Sequence, residues 1–198
     1  MNNCYLDAEA VITFFRMTGR KHIFITGSRG SGKSYLVNNM LKRMSDSFNL
    51  LQSHRTDTPQ VVIKSNLVAD NKEFVIGVPR TSGINPASKG NNMTINESGF
   101  INCAIPAIDT HLDTTPEKLF VIDELGYLES SCVPFQKAVE KLLDNSHVLA
   151  VIRKQSTEFL NRICNRRDVL VIDIDKTFET LSSLLWLPVC QNDSALIN

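Results

Sequence analysis

The sequence carries no excess charge of either sign and no long apolar run. Its 21 lysines and arginines balance 21 aspartates and glutamates over 198 residues. The chain as a whole therefore has no general electrostatic attraction for nucleic acid, and only a local basic patch could supply one. No stretch reaches the roughly 18 apolar residues of a membrane span, and the first residues lack the basic start and apolar run of a secretory signal. We therefore expect a cytoplasmic protein with no membrane partner and no general nucleic-acid binding.

Paired cysteines are also missing. The five cysteines are an odd number at wide spacings, with no C-x-x-C pair and no histidine at the spacing of metal ligands. This pattern argues against a disulfide scaffold and against a structural zinc site. We expect reduced thiols that mostly pack in the interior; the residues are Cys4, Cys103, Cys132, Cys164 and Cys190.

What the chain does have is an alternation of strand-like and helix-like segments. Short apolar runs predict strands at "HIFIT", "KLFVID", "HVLAVI" and "DVLVIDI", and segments with helical spacing of apolar residues lie before and between them. Such alternation predicts an α/β fold with a mostly parallel sheet covered on both faces. "QVVIKSNLV" and "KEFVIGV", separated by residues 69–71, predict an antiparallel hairpin that makes the sheet mixed.

The length and the 42% hydrophobic content suit one domain over residues 1–198. Residues 1–20 predict a helical extension ahead of the first strand. Residues 80–98, "RTSGINPASKGNNMTINES", are dense in Gly, Ser, Asn and Pro and predict a long loop, which in a compact domain is usually functional or mobile. The predicted helices cover residues 5–18, 34–44, 99–109, 134–145, 156–166 and 177–186.

The most specific local pattern is "GSRGSGKS" at residues 27–34, between a predicted strand and an amphipathic helix. It completes G-x-x-x-x-G-K-[ST], the phosphate-binding loop. Glycines let backbone N–H groups converge on a phosphate, the first helical turn offers unpaired donors, and Lys33 adds a point charge for the β- and γ-phosphates. We expect Ser34 to bind Mg²⁺. The predicted nucleotide contacts are Gly27, Ser28, Arg29, Gly30, Ser31, Gly32, Lys33, Ser34 and Tyr35.

A second pattern supplies acidic residues at a strand end. In "LFVIDELGYLE", residues 119–129, an apolar strand delivers Asp123 to the sheet edge where open α/β folds bind ligands. Taken alone, Asp123 and Glu124 would more often cap a helix or face solvent. Beside the phosphate loop, we predict that Asp123 binds the metal and that Glu124 is the general base for the attacking water. Glu124 reaches the phosphate only if the chain leaves strand geometry there, which Gly126 makes plausible.

Arg153 directly follows the predicted strand "HVLAVI" and should emerge at the same edge of the sheet. The sequence supports contact with the γ-phosphate about as well as a solvent-exposed or helix-capping position. We include Arg153 with Lys33 and Glu124 as the candidate catalytic residues.

These motifs resemble those of the small P-loop nucleoside-triphosphatases, a family that includes the human cancer-related nucleoside-triphosphatase and thermophilic prokaryotic relatives. "IFITGSRGSGKS" and "VIDELGYLE" carry the resemblance, which extends over about residues 22–176. It implies a P-loop three-layer sandwich and slow, Mg²⁺-dependent hydrolysis of ATP, GTP and other nucleoside triphosphates with little base selectivity. The sequence departs from the family in Asp175 and Lys176, where the family has Asn-Arg after the last core strand.

Two other functions would use the same loop. A nucleotide or small-molecule kinase shares the phosphate and Mg²⁺ sites but needs an acceptor pocket and usually an arginine on a lid, for which Arg80 is the candidate. A slow nucleotide-dependent switch would report the nucleotide state to a protein partner. The Asn-Lys-x-Asp pattern of guanine-specific GTPases is missing, since "NKEF" at residues 71–74 comes early and lacks the aspartate.

Overall fold

One sheet of eight strands runs through the protein. The computed structural model of the protein describes residues 6–44, 47–80 and 93–176. The strands are β1 (His22–Gly27), β2 (Phe48–Arg55), β3 (Val61–Ser65), β4 (Phe74–Pro79), β5 (Met93–Ile95), β6 (Leu119–Leu125), β7 (His147–Arg153) and β8 (Val169–Asp173). Across the sheet they lie in the order β5-β4-β3-β2-β6-β7-β1-β8.

Five neighbouring strands, β2, β6, β7, β1 and β8, are parallel, which confirms the predicted mostly parallel sheet. β7 lies between β1 and β6, so the strand before the phosphate loop and the strand before Asp123 are not direct neighbours. The carboxyl ends of parallel strands meet at one edge of a sheet. The loop after β1, the acids at the end of β6 and Arg153 at the end of β7 therefore share that edge.

The other three strands extend the sheet in antiparallel fashion. β3 and β4 form the predicted hairpin, and the antiparallel part is larger than predicted because β3 also pairs with β2 and β4 with β5. Strand β2 was not predicted from the sequence, and its second half, residues 52–55, is polar. The loop predicted at residues 80–98 is wrong within residues 93–98, where β5 and the start of a short helix form. Residues 81–92 lie outside the described residues.

Helices cover both faces of the sheet and complete the predicted three-layer sandwich. They are α1 (Ala8–Thr18), α2 (Lys33–Met44), α3 (Glu97–Gly99), α4 (Ile105–Thr114), α5 (Val133–Asn145) and α6 (Glu158–Cys164), with a π-helical turn, Phe100–Ala104, between α3 and α4. Alternate residues of β1 point to opposite faces: Ile23 and Ile25 join a core with α1 and α2, and Phe24 joins a core with α4, α5 and α6. Within the described ranges, no helix is long and apolar enough to cross a bilayer.

Helix α1 lies within the predicted N-terminal extension. Asp7 caps it by accepting hydrogen bonds from the backbone N–H groups of Glu9 and Ala10, at 3.3 and 3.4 Å. Gly19 ends it with a φ of 63° in the left-handed region. Val11 and Ile12 are buried in the core that α2 shares. Helix α1 therefore packs on the sheet as part of one of its two helical layers.

The cysteines behave as predicted where the structure describes them. Cys103, Cys132 and Cys164 are free thiols, and the first two are buried. Burial raises the pKa of the Cys103 thiol to about 11, so the reactive thiolate is disfavoured. The other two cysteines and the closing helix predicted at residues 177–186 lie outside the described residues.

Candidate active site

The loop between β1 and α2 has the backbone conformation that its glycines allow. Gly30 and Gly32 have φ angles of 79° and 91°, in the left-handed region that residues with a Cβ rarely adopt. The loop ends at Lys33, the first residue of α2. The first turn of a helix carries backbone N–H groups without helical partners, so the loop and α2 together present donors suited to phosphate.

The ammonium group of Lys33 lies against its own loop. It donates hydrogen bonds to the carbonyl oxygens of Gly27 and Ser28, both at 2.7 Å. Lys33 also lines a cavity of about 860 Å³, at the wall where the motif predicts the β- and γ-phosphates. A phosphate at this wall would offer the ammonium a charged acceptor, which binds more strongly than a neutral carbonyl.

The end of β6 departs from strand geometry at Glu124. The pairing register with β7 shifts between Ile122 and Leu125, and Glu124 has a φ of 80°. A residue other than glycine in this region costs roughly 1–3 kcal/mol and persists only where its surroundings hold it. Glu124 can turn toward the loop only if the chain leaves strand geometry, and the chain does so at Glu124 itself.

Arg153 holds the Glu124 side chain in this position. Its Nε and Nη2 atoms donate to the two carboxylate oxygens of Glu124, each at 2.9 Å. Both residues line the cavity that Lys33 lines. From the sequence, contact of Arg153 with the γ-phosphate and a solvent-exposed position were about equally supported. The structure shows a half-exposed guanidinium paired with the candidate base.

Asp123 lies beside β2 at the end of β6. Its Oδ2 atom accepts a hydrogen bond from Gln52 Nε2 at 3.1 Å, and burial raises the pKa of its carboxyl above the usual range. No partner of Oδ1 is present in the described part of the chain, so this oxygen is available to a metal or its water shell. Within that part, no cluster of three histidine, cysteine or acidic residues could hold a metal alone.

Glu129 is a site residue to which the sequence assigned no role. Its side chain is buried, with 6% of its surface exposed, and its Oε2 atom accepts a hydrogen bond from the backbone N–H of Gly126 at 2.9 Å. Gly126 leaves room for this arrangement, because a Cβ there would lie 3.0 Å from Arg153 Cδ and 3.4 Å from Glu129 Oε2. Burial raises the pKa of Glu129 to about 7. The only sequence signal was its place at the end of "VIDELGYLE".

Glu129→Gln is expected to stabilise the protein above neutral pH. The carboxyl binds a proton more tightly in the folded state, where burial raises its pKa from 4.5 to about 7, so wild-type stability falls as the pH rises through this window. Glutamine imitates the protonated form and can still accept the bond from Gly126. Urea unfolding at pH 5 and pH 8 should show the variant gaining roughly 2–3 kcal/mol relative to wild type. A difference that does not change with pH would contradict the burial argument. Glu140→Gln, at a more exposed carboxylate paired with Arg162, is the control.

Asp175 holds the start of the phosphate loop. Its Oδ2 atom accepts hydrogen bonds from the backbone N–H and the hydroxyl of Ser28, both at 2.7 Å, and pairs with Lys154 at 2.9 Å. Hydrogen bonds from Lys154 and Ser28 lower the pKa of Asp175 to about 2. Asp175 thus fixes the first turn of the loop.

Most of the predicted site lines one cavity. The predicted residues on its surface are Gly27, Ser28, Arg29, Gly30, Lys33, Ser34, Glu124 and Arg153. Four others do not line it: Ser31, Gly32, Tyr35 and Asp123. The Tyr35 side chain is 56% exposed, and Ser31 Oγ is buried without a hydrogen-bond partner among the described residues. The cavity also has a wall that the sequence did not predict, formed in part by Ser53, His54 and Arg55 of β2.

Comparison of the sequence with known proteins gives one family and several relatives. The family model described as NTPase matches residues 22–180, a range that includes both motifs. The chain is 26% identical over 156 residues to the nucleoside-triphosphatase THEP1 of Thermotoga sp. (strain RQ2), covering 78% of this chain and 86% of that protein. It is 23% identical over 155 residues to the THEP1 of Thermotoga maritima, with the same two coverages.

Two solved structures are similar to most of the chain. THEP1 from the hyperthermophile Aquifex aeolicus gives a TM-score of 0.61 at 20% identity, over 83% of this chain and 99% of that one. A human cancer-related nucleoside triphosphatase gives a TM-score of 0.57 at 18% identity, over 84% of this chain and 97% of that one. At these identities the likeness shows a shared fold.

Proposed function

Since the chain belongs to the NTPase family, whose named relatives are nucleoside-triphosphatases, we propose that it cleaves the γ-phosphate of ATP, GTP and other nucleoside triphosphates with Mg²⁺. One observation carries the proposal. The lysine of the phosphate-loop motif, Lys33, and a carboxylate in a strained backbone conformation, Glu124, line the same cavity. The cytoplasmic location remains a prediction from the sequence.

The loop residues bind and orient the triphosphate. Backbone N–H groups of the loop and of the first turn of α2 donate to the β- and γ-phosphates, and the Lys33 ammonium moves from the carbonyl oxygens of Gly27 and Ser28 to phosphate oxygens. Asp175 supports this binding from behind, since it fixes the backbone of Ser28. Binding geometry of this kind lowers the barrier because the reacting groups are already placed.

The Ser34 hydroxyl and the Asp123 carboxylate are the residues that would hold Mg²⁺. They fit the ion, because Mg²⁺ prefers oxygen ligands and is usually held by one or two carboxylates together with phosphates and water. One carboxylate oxygen of Asp123 accepts a hydrogen bond from Gln52, and the other has no partner among the described residues. When bound, Mg²⁺ neutralises charge on the β- and γ-phosphates.

Glu124 and Arg153 serve the transfer to water. Glu124 orients the attacking water and accepts its proton, and Arg153, which contacts both oxygens of Glu124, places a positive charge beside the γ-phosphoryl group. Positioning and charge stabilisation of this kind supply most of the catalysis in phosphoryl transfer.

Asp123→Asn is expected to weaken Mg²⁺-dependent hydrolysis while the fold persists. Asparagine keeps an acceptor for Gln52 and removes a charge that burial already disfavours. We expect activity at limiting Mg²⁺ to fall by roughly 10–100-fold and to recover in part at high Mg²⁺. Titration of the rate with Mg²⁺ and a thermal melt measure the two effects. Loss of the folded state would show a structural role for Asp123; Asp109→Asn, on the surface of α4, is the control.

The proposed reaction is tested by a panel of nucleoside triphosphates with Mg²⁺, with separate assays for phosphate and diphosphate. The expected products are inorganic phosphate and the nucleoside diphosphate from several bases. Release of diphosphate, or no turnover of any triphosphate, would contradict the proposal.

A further inference from the structure

The cavity extends well beyond the phosphate loop. Its wall away from the loop consists of residues from β2, β3 and β5 and from the turn after β6; we call this part the acceptor compartment, and its residues are Ser53, His54, Arg55, Val61, Met93, Tyr127 and Leu128. Three strand spacings separate β1 from β2, about 14 Å at a strand separation of roughly 4.8 Å. A water molecule takes up only about 30 Å³, so the attacking water fills only a small part of this compartment.

The acceptor compartment lies on the side from which a nucleophile would approach. In phosphoryl transfer the attacking and leaving oxygens are roughly in line with the phosphorus. The leaving group is held at the loop after β1, and Glu124 at the end of β6 lies between that loop and the compartment in the order of strands. The compartment therefore lies beyond Glu124 from the loop that would hold the leaving group.

The compartment has an apolar wall, and it contains an arginine that forms no ion pair within the described residues. Arg55 is exposed and forms no ion pair or hydrogen bond within the described residues, whereas His54 next to it pairs with Glu73 at 3.2 Å. Val61, directly opposite Arg55 in the sheet, adds an apolar surface. The other apolar and aromatic surfaces are Met93, Tyr127 and Leu128.

The whole cavity has a positive balance, although the chain is neutral. Among the described residues, two carboxylates line it, Glu124 and Glu129, and so do five cationic side chains, Arg29, Lys33, Arg55, Arg153 and Lys154. Arg153 pairs with Glu124, and Lys154 pairs with Asp173 and Asp175, so Arg29, Lys33 and Arg55 are the cations left without an ion pair in this part of the chain. A surplus of cations in one concave site favours more anionic charge than the chain attracts elsewhere.

We propose that the acceptor compartment binds a nucleoside monophosphate and that the protein transfers the γ-phosphoryl group to it, in addition to water. This rests on the proposed function of the phosphate loop. The guanidinium of Arg55 suits a phosphate, which arginine binds through two parallel hydrogen bonds. The apolar wall with Tyr127 suits a flat base.

The transfer differs from hydrolysis in its need for a base. A phosphate oxygen of the acceptor forms a bond to the γ-phosphorus, the bond from that phosphorus to the bridging oxygen breaks, and its electron pair stays on the β-phosphate. Two nucleoside diphosphates result. With a second pKa near 6, the acceptor phosphate carries little proton at neutral pH, so no base is required. Water must lose a proton, and only that reaction depends on Glu124.

Glu124→Gln therefore separates the two reactions. The test uses Mg²⁺·ATP with AMP, GMP, CMP or UMP labelled in the nucleoside, and follows labelled diphosphate and inorganic phosphate. We expect wild type to phosphorylate at least one monophosphate, and Glu124→Gln to lose phosphate release at least 100-fold while labelled diphosphate falls less than 10-fold. Arg55→Ala should lower labelled diphosphate at least 10-fold more than it lowers phosphate release. Arg43→Ala, at an exposed arginine of α2 away from the cavity, should change neither.

Binding of the monophosphate gives a second readout. In calorimetry with the protein saturated by Mg²⁺ and a non-hydrolysable ATP analogue, the monophosphate that is phosphorylated should bind at one site, and Arg55→Ala should weaken it at least 10-fold. No labelled diphosphate from any of the four monophosphates, binding that competes with the analogue, or transfer unaffected by Arg55→Ala would overturn the proposal. Phosphate release by wild type in the same assays reports separately on the proposed function.

Discussion

Lys33→Ala is expected to abolish productive binding of nucleoside triphosphates. The ammonium is the loop's charge for the β- and γ-phosphates, and it is already at the cavity wall, 2.7 Å from two loop carbonyl oxygens. Losing charge-assisted bonds to two phosphates, at about 1.5–3 kcal/mol each, should weaken binding by roughly 100-fold or more. Calorimetry with a non-hydrolysable analogue measures the affinity, and phosphate release measures the rate.

Lys42→Ala provides the matched control for this experiment. Lys42 is exposed in the last turn of the same helix, α2, and does not line the cavity, so its removal should leave both affinity and rate unchanged. Hydrolysis that survives in Lys33→Ala at the wild-type rate would mean that the loop does not hold the substrate.

Glu124→Gln is expected to lower kcat for hydrolysis by roughly 10²- to 10⁴-fold with little loss of nucleotide affinity. Glutamine keeps the size of the side chain and a hydrogen-bond acceptor for Arg153 but cannot take a proton from water. Glu140→Gln removes a carboxylate from another arginine–glutamate pair, with Arg162 at 2.6 Å, and should change neither quantity.

The pattern of losses assigns the role of Glu124. Equal losses of affinity and rate would place it among the groups that bind the metal or the nucleotide. An undiminished rate of phosphate release would show that the base lies elsewhere. Steady-state kinetics together with calorimetry separate these outcomes, because KM alone does not equal a dissociation constant.

The conformation of the glycine-rich loop after β1 was predictable because it depends on local residues. Glycines at positions 30 and 32 permit left-handed backbone angles whatever the rest of the chain does, and Lys33 follows them directly. The same applies to the apolar runs that became β1, β6 and β7. Their composition alone indicates buried strands.

Other features depend on contacts between distant segments. β2 is a strand because β6 and β3 pair with its two edges, while its polar second half faces the cavity edge and shows no apolar pattern. The strand order also depends on contacts between distant segments. No local pattern between β1 and β6 indicates that β7 will lie between them. Asp175 acquires its role only because β8 lies beside β1 and brings the carboxylate to Ser28.

The region after Asp123 has one feature that was predictable from local residues and one that depends on contacts with distant segments. The sequence predicted that Glu124 must leave strand geometry, and its φ of 80° confirms this. Gly126, which was expected to make that turn possible, instead provides space for Arg153 and an N–H group for the buried carboxyl of Glu129. That role depends on side chains from β7 and from the turn after β6, which no local pattern in the sequence describes.

The most direct test of the account is a single-turnover reaction of Mg²⁺·ATP in water enriched in heavy oxygen. Water is expected to attack the γ-phosphorus, so one heavy oxygen should appear in inorganic phosphate and none in ADP. Heavy oxygen in ADP, or no turnover by a folded protein that binds ATP, would contradict it.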